Sequence, residues 1–347
     1  MSGHSCSLLF PVEEDREYTM SDYQGAQARW CPGCGDHSVL TAMQRLLAAE
    51  QLKPEQTVFV SGIGCSSRFP YYMDIYGLHG IHGRAPAIAS GIKMANPQLD
   101  VWVATGDGDG LSIGGNHMIH TLRRILNIKI LLFNNQIYGL TKGQYSPTSV
   151  LGQVTRSTPV GVIDTPFVPV SLALGAGATL VARAMDRDPK HLQEVVRRAE
   201  QHHGSAFIEI YQNCNVFNDG AFLLFTEKET RDDHVVYLEH GKPLVFGKQK
   251  DRGIRLDGFT PKAVSFTDSG YSVNDLLVHN ENDLTLAFIL ANMIHDPELP
   301  RAMGVFVSLD RPTYEEQMED QIRRARSKKG QGDLQKLLEG DQTWTIA

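Results

Sequence analysis

The sequence is poor in cysteine, with five in 347 residues. A secreted disulfide scaffold uses cysteines densely and in pairs, so this odd, sparse set argues for metal binding or catalysis rather than cross-links. Long apolar runs are missing too. No stretch of about 18 apolar residues occurs, so no membrane-spanning helix is expected. Positive charge is in deficit, with 33 Lys and Arg against 40 Asp and Glu, and the net charge is -7. Broad nucleic-acid binding is therefore not expected. The opening residues, MSGHSCSLLFPVEEDREYTM, lack the basic start and apolar core of a signal peptide, and a cytoplasmic protein is the expectation. There is no internal repeat. What remains is a globular composition, 41% hydrophobic and 21% charged, in a chain long enough for one large domain or two.

The richest stretch runs from Thr105 to Gln144. An apolar run, Val101 to Ala104, ends at Gly106-Asp107-Gly108-Asp109-Gly110. A second, Ile128 to Phe133, ends at Asn134-Asn135, and one helix length lies between them. This predicts a β-α-β unit with polar groups at the carboxyl ends of both strands, where open parallel sheets hold ligands. The glycines allow sharp turning and close backbone approach. Asp107 offers an anionic oxygen and Asn135 a neutral one, a donor pair that suits Mg²⁺ carrying a diphosphate. Taken alone, GDGDG is equally compatible with an ordinary glycine-rich turn.

Four further cysteines have positions that matter. Cys31-Pro-Gly-Cys34 opens a helix that runs to about Glu50, with Asp36 expected as its N-cap. No strand precedes the pair, as a thioredoxin-like motif would require. Cys65 follows the strand Val58 to Ser61, 31 residues after Cys34, and Cys214 follows the strand Ala206 to Ile210. Strand ends can bring these thiols together. Four thiolates hold either zinc or an iron–sulfur cluster, and the spacing alone does not choose between them. Cys6 stands apart, in an arm with no evident role. Residues 69–84 read as loop. Helices are expected at 85–94, 170–174, 189–203 and 284–294, and a strand at 179–182, with 206–210 the last clear strand. Residues 314–329, dense in both charges, read as a solvated helix. The expected division is an arm (1–28), a cofactor domain (29–220) and a C-terminal extension with the charged tail helix (221–347).

The motifs also carry a family likeness. GDG followed about 28 residues later by a strand-ending Asn resembles the thiamine-diphosphate fingerprint. That resemblance implies an α/β fold with an open, mainly parallel sheet flanked by helices. It also implies Mg²⁺ held by Asp107, Asn135 and the carbonyl of Ile137. CPGCGDH, GIGCSSRFPYY, LHGIHGRA, GDGDGLSIGGNH and NNQIYGLTKGQ, in this order, resemble the β subunit of 2-oxoacid:ferredoxin oxidoreductases. The likeness implies one [4Fe–4S] cluster on Cys31, Cys34, Cys65 and Cys214. It implies thiamine diphosphate contacts from Ile63, Gly64, Cys65, Ser66, His82, Gly108, Asp109, Gly139 and Leu140.

The implied reaction is reversible, coenzyme A-dependent oxidative decarboxylation of a 2-oxoacid, with electrons passing through the cluster to ferredoxin. YGLTKGQ resembles the branch acting on 2-oxoglutarate or on a range of 2-oxoacids, with pyruvate as the alternative. In that reading Lys142 or Arg68 meets the distal carboxylate, beside Leu140. The carboxylate that acts on the aminopyrimidine ring is not identifiable here. The resemblance assigns it to a partner α subunit, in a dimer of heterodimers. Two other readings are compatible with the residues. One is a cluster-free thiamine decarboxylase or synthase, which colourless, iron-free protein would favour. The other is a zinc-stapled scaffold subunit, which failure to bind thiamine diphosphate would favour.

Overall fold

Strand and helix alternate because apolar runs of strand length alternate with stripes at helical spacing. The computed structural model describes residues 16–267 and 270–344. The first half contains α1 (Asp36–Ala49), β1 (Thr57–Ser61), β2 (Tyr76–His79), α2 (Ala85–Ala95), β3 (Asp100–Gly106), α3 (Asp107–Leu111), α4 (Gly115–Arg123) and β4 (Ile128–Asn134). Next come α5 (Pro169–Gly175), β5 (Leu180–Met185), α6 (Pro189–Glu200), β6 (Ala206–Tyr211), α7 (Leu223–Thr226), α8 (Lys228–His234) and β7 (Val235–Leu238). The chain closes with β8 (Val245–Phe246), β9 (Arg252–Asp257), β10 (Thr260–Ser265), α9 (Leu284–Asn292), β11 (Arg301–Ser308), α10 (Tyr314–Lys329) and α11 (Leu334–Glu339).

Eight strands form one sheet in the order β2-β1-β3-β4-β6-β5-β11-β7, and β10-β9-β8 form a small antiparallel sheet. The first six strands of the large sheet run parallel, and β11 is antiparallel to β5. Parallel strands covered on both faces are apolar throughout, and the two-residue period sends alternate side chains to opposite faces. Along β3, Val101 and Val103 enter a core shared with α2, α4, α5 and α9. Trp102 and Ala104 enter the opposite core with α1 and α6. The Trp102 ring stacks on Phe59 at 5.8 Å. α6 buries Leu192, Val195, Val196 and Ala199 along one stripe, and the Asp188 carboxylate caps it by accepting from the His191 N–H.

Three features depart from the sequence reading. Part of the expected loop 69–84 is strand β2, paired parallel to β1 at the sheet edge. Its residues are mostly exposed, so no apolar alternation marks it. The fold also continues past residue 220, because β7 and β11 complete the large sheet and 206–210 is not the last strand. β11 contains Gly304 at φ 118, where a Cβ would stand 2.9 Å from the Leu238 carbonyl oxygen. Finally, Gly35 and not Asp36 caps α1, and Asp36 is buried. α10 spans the expected residues and begins with a capping box between Thr313 and Glu316. No helix among the described residues is long and apolar enough to cross a membrane. Cys6 lies outside the described residues.

Candidate functional site

β2 lies to one side of β1 and β3 to the other, so strand order reverses there. Such switch points leave a crevice at the carboxyl ends of the strands. A small cleft opens at this place. It gathers Ile63 to Ser66 after β1, His82, Gly106 to Asp109 after β3, and Asn135 with Ile137 to Thr141 after β4.

Asp107 begins α3 at the end of β3 and is 2% exposed. Its Oδ2 accepts from Ser146 Oγ at 2.5 Å and Thr148 Oγ1 at 2.6 Å. Burial pushes the carboxyl up to about 6, against the pull of the two hydroxyls. Both bonds fall on Oδ2, and among the described residues no side chain bonds Oδ1. Asn135 donates from Nδ2 to Gln212 Oε1 at 2.8 Å, and its Oδ1 accepts only a long bond, 3.2 Å, from the Ile137 N–H. Gln136 turns the chain at φ 57. Among the described residues the Ile137 carbonyl accepts no backbone hydrogen bond. One carboxylate, one amide and one carbonyl oxygen thus remain for a hard cation, and this donor set fits Mg²⁺ on a diphosphate.

Asp109 has a different part. Its Oδ1 accepts from the Ile63 N–H at 3.0 Å and the Gly83 N–H at 2.7 Å, and its Oδ2 accepts from Thr105 Oγ1 at 2.7 Å. His82 Nδ1 stands 2.7 Å from Oδ1, close enough for an ion pair when the imidazole is charged but out of line for an N–H bond. Asp109 therefore clamps three segments of the cleft wall, and its oxygens are already engaged. Tyr138 was not anticipated. Its hydroxyl donates to the Gly108 carbonyl at 2.8 Å, and its ring lies 2.3 Å from where a Gly108 Cβ would be. Gly108 is glycine because that ring covers it. Leu140 stands half-exposed at the rim.

The thiols adjoin this cleft. Gly33, at φ 81, turns the CPGC loop. That loop is tied to the end of β6 by the Gly35 N–H donating to the Asn213 carbonyl at 3.2 Å and Asn215 Nδ2 donating to the Pro32 carbonyl at 2.5 Å. Trp30 Nε1 holds the Cys65 carbonyl at 2.6 Å. Cys65 Sγ and Cys214 Sγ each lie 3.6 Å from where a Cβ on Gly139 would be. Burial pushes the Cys65 thiol up to about 12, with Asp36, Cys214 and Cys31 adding to it. Burial also raises Cys34, with contributions from Asp36, Cys214 and Cys65. Cys34 and Cys65 are thus neutral thiols that a bound cation would ionise. No group of three or more His, Cys, Asp or Glu among the described residues is arranged to hold a metal ion. The four thiols neighbour one another without closing on one point, and their all-sulfur chemistry fits a cluster. Asp36 lies beneath them, raised to about 7 by burial and by Asp186.

Neither Arg68 nor Lys142 lines the cleft. Arg68 donates to the Arg29 carbonyl at 3.4 Å and lies over the Tyr72 ring. Lys142 is exposed in a turn at φ 75. Ser146, Thr148 and Gln212 escaped the sequence reading, because residues in a Ser- and Thr-rich loop or at a strand end carry no local signal of such contacts.

Residues 62–210 match the model of the thiamine pyrophosphate enzyme C-terminal, cofactor-binding domain. The chain is 49% identical over 324 residues to the 2-oxoglutarate oxidoreductase subunit KorB of Mycobacterium tuberculosis, covering 92% of this chain and 86% of that one. It is 50% identical over 190 residues to the β subunit of 2-oxoacid:ferredoxin oxidoreductase 1 of Aeropyrum pernix, covering 55% of this chain and 60% of that protein. Among solved structures it resembles the 2-oxoglutarate:ferredoxin oxidoreductase of Magnetococcus marinus, which holds 2-oxoglutarate, coenzyme A and succinyl-CoA. That likeness has a TM-score of 0.76 at 32% identity over 95% of this chain and 98% of the other.

Proposed function

The chain belongs to the β subunits of the 2-oxoacid oxidoreductases, and from that membership we propose that it is the cofactor-bearing subunit of a 2-oxoglutarate:ferredoxin oxidoreductase. One observation carries the proposal: the thiols of Cys65 and Cys214, with Cys34 near them, border the diphosphate-type cleft at Gly139. The reaction is conversion of 2-oxoglutarate and coenzyme A to succinyl-CoA and carbon dioxide, with two electrons passed on to ferredoxin. The place of work is the cytoplasm, with the other enzymes of central metabolism.

Asp107, Asn135 and the Ile137 carbonyl hold Mg²⁺ and through it the diphosphate. Gly108, Gly139, Leu140, His82 and Ile63 to Ser66 border the cofactor, and Asp109 acts on it by fixing the wall. Cys31, Cys34, Cys65 and Cys214 hold one [4Fe–4S] cluster. Thiamine diphosphate supplies the carbanion chemistry of decarboxylation, and the cluster supplies one-electron steps. Tyr138 and Leu140 keep water from one side of the cleft. Lys142 or Arg68, neither of them in the cleft lining, is the candidate cation for the distal carboxylate.

The site needs a partner. The two carboxylates lining the cleft are given to the cation (Asp107) and to the cleft wall (Asp109), and the family likeness supplies the carboxylate for the aminopyrimidine ring from an α subunit. The loop that starts at Ser146 exposes Leu151 at 60%, Val154 at 68%, Val160 at 96% and Ile163 at 90%. Four exposed apolar side chains along one loop suit a face that a partner covers. The assembly is a pair of αβ units.

The test is anaerobic purification with the α subunit, assay of iron, sulfide and thiamine diphosphate, and a spectrum before and after 2-oxoglutarate with coenzyme A. About four irons per chain and bleaching by 2-oxoglutarate are expected. Bleaching by pyruvate alone would transfer the proposal to the pyruvate-specific branch. Zinc, or no metal, would end the electron-transfer role.

A further inference from the structure

Gln212 closes β6 just before the Cys214 loop and is 1% exposed. Every polar group of its side chain is used. Nε2 donates to Cys34 Sγ at 3.2 Å and to the Asn213 carbonyl at 2.7 Å. Oε1 accepts from Asn135 Nδ2 at 2.8 Å. Its backbone N–H donates to the Asn134 carbonyl at 2.9 Å, which fixes the residue against β4. The orientation of the amide is set by chemistry. Exchanging its oxygen and nitrogen would set oxygen against sulfur and a carbonyl, and nitrogen against an NH₂ group. A single amide therefore touches the side chain of Asn135 and the sulfur of Cys34.

We propose that Gln212 is a positioning residue that joins the magnesium–diphosphate site to the iron–sulfur site. The proposal rests on the assignment of Asn135 to the cation and Cys34 to the cluster. On one side, Gln212 occupies the NH₂ group of Asn135, so that Oδ1 is the atom left for the cation. Outer-shell partners of this kind set ligand orientation and hence metal affinity. On the other side, the N–H bond to sulfur favours negative charge on Cys34. That charge is greater in the reduced cluster, so the bond raises the reduction potential. Its bland alternative is a buried amide that merely completes the hydrogen bonding at a strand end. Such a residue would affect stability and neither of these properties.

The test uses the αβ enzyme and two readouts besides turnover. One is calorimetric titration of the cofactor-stripped enzyme with Mg²⁺ at saturating thiamine diphosphate. The other is the cluster midpoint potential by EPR-monitored redox titration. Gln212→Met removes both contacts, and Mg²⁺ affinity falls about 10–100-fold while the potential becomes more negative. Gln212→Glu keeps an acceptor for Asn135 but no donor for Cys34, so the potential falls and Mg²⁺ affinity holds. This split separates positioning from simple stability. In wild-type enzyme labelled with ¹⁵N in glutamine side chains, pulsed EPR of the reduced cluster should detect a ¹⁵N coupling, a readout that needs no variant to fold. Variants equal to wild type in affinity and potential would overturn the bridge, and so would absence of the ¹⁵N coupling. If wild-type enzyme held no iron or no thiamine diphosphate, the proposed function itself would fail, which is a distinct result.

Discussion

Asp107 should make the cofactor-free protein less stable, and Asp107→Asn should relieve it. Burial raises this carboxyl from 3.8 to about 6. A group whose folded value lies above its unfolded value stabilises the fold fully below the unfolded value. That contribution is lost as pH climbs from 3.8 towards 6. Raising the carboxyl from 3.8 to about 6 costs about 3 kcal/mol at neutral pH. Asparagine keeps the volume and carries no charge to bury, but its bonds from Ser146 and Thr148 weaken by roughly 1 kcal/mol. The net gain is about 2 kcal/mol at pH 7. With roughly 2.1 cal/mol/K of unfolding entropy per residue over 347 residues, the melting temperature of the metal-free variant should rise by about 3 °C. The advantage should vanish near pH 4, where the folded-state carboxyl is protonated and the unfolded one, at 3.8, is only part ionised, so that little of the burial cost remains. Added Mg²⁺ and thiamine diphosphate should reverse the order, because only the wild type keeps the anionic oxygen that binds the cation. The assay is calorimetric melting of EDTA-treated protein from pH 4 to 8, with and without cofactor. A metal-free variant that melts below wild type at pH 7, or a difference that ignores pH, would refute the reasoning.

Other substitutions test other parts. Gly108→Ala forces a methyl into the Tyr138 ring, and the overpacking should cost about 1–3 kcal/mol and weaken thiamine diphosphate binding, measurable by melting and cofactor titration. Arg183→Met leaves Glu209, 1% exposed, without the guanidinium that bonds its Oε2 at 2.7 Å. A loss of about 3–5 kcal/mol is expected by denaturant unfolding. Val160→Glu with Ile163→Glu should abolish copurification of the α subunit while leaving the circular dichroism of the chain unchanged. Retained copurification would mean that the partner sits elsewhere.

The central β-α-β unit was legible because its evidence is local: two apolar runs, a glycine-rich turn and an asparagine at the second strand's end. The thiols were legible as a set, but not as zinc or cluster, since spacing carries no charge state. Ser146, Thr148 and Gln212 were hidden because their partners lie 39, 41 and 77 residues away. Asp109 shows the opposite limit. The family likeness implied a cofactor contact for it, and the three hydrogen-bond donors that the tertiary fold brings to its oxygens had no sign in the local motif. β2 was missed because an exposed edge strand needs no alternating pattern. β11 was missed because Gly304 breaks an apolar run that only its packing against Leu238 explains.

The strand order has a consequence for biosynthesis. β5 can be paired on one side by β6 as soon as residue 211 emerges, but its other neighbour is β11. The ribosome must add about 100 residues beyond β6 before that neighbour exists, roughly 5–20 s at ordinary elongation rates. Through that interval β5 is a bare edge, and β7, already made, has no place in the large sheet until β11 separates the two. Bare edges recruit other strands. A nascent chain stalled between residues 211 and 301 should therefore be a strong client for a chaperone that shields strand edges, and release should follow insertion of β11.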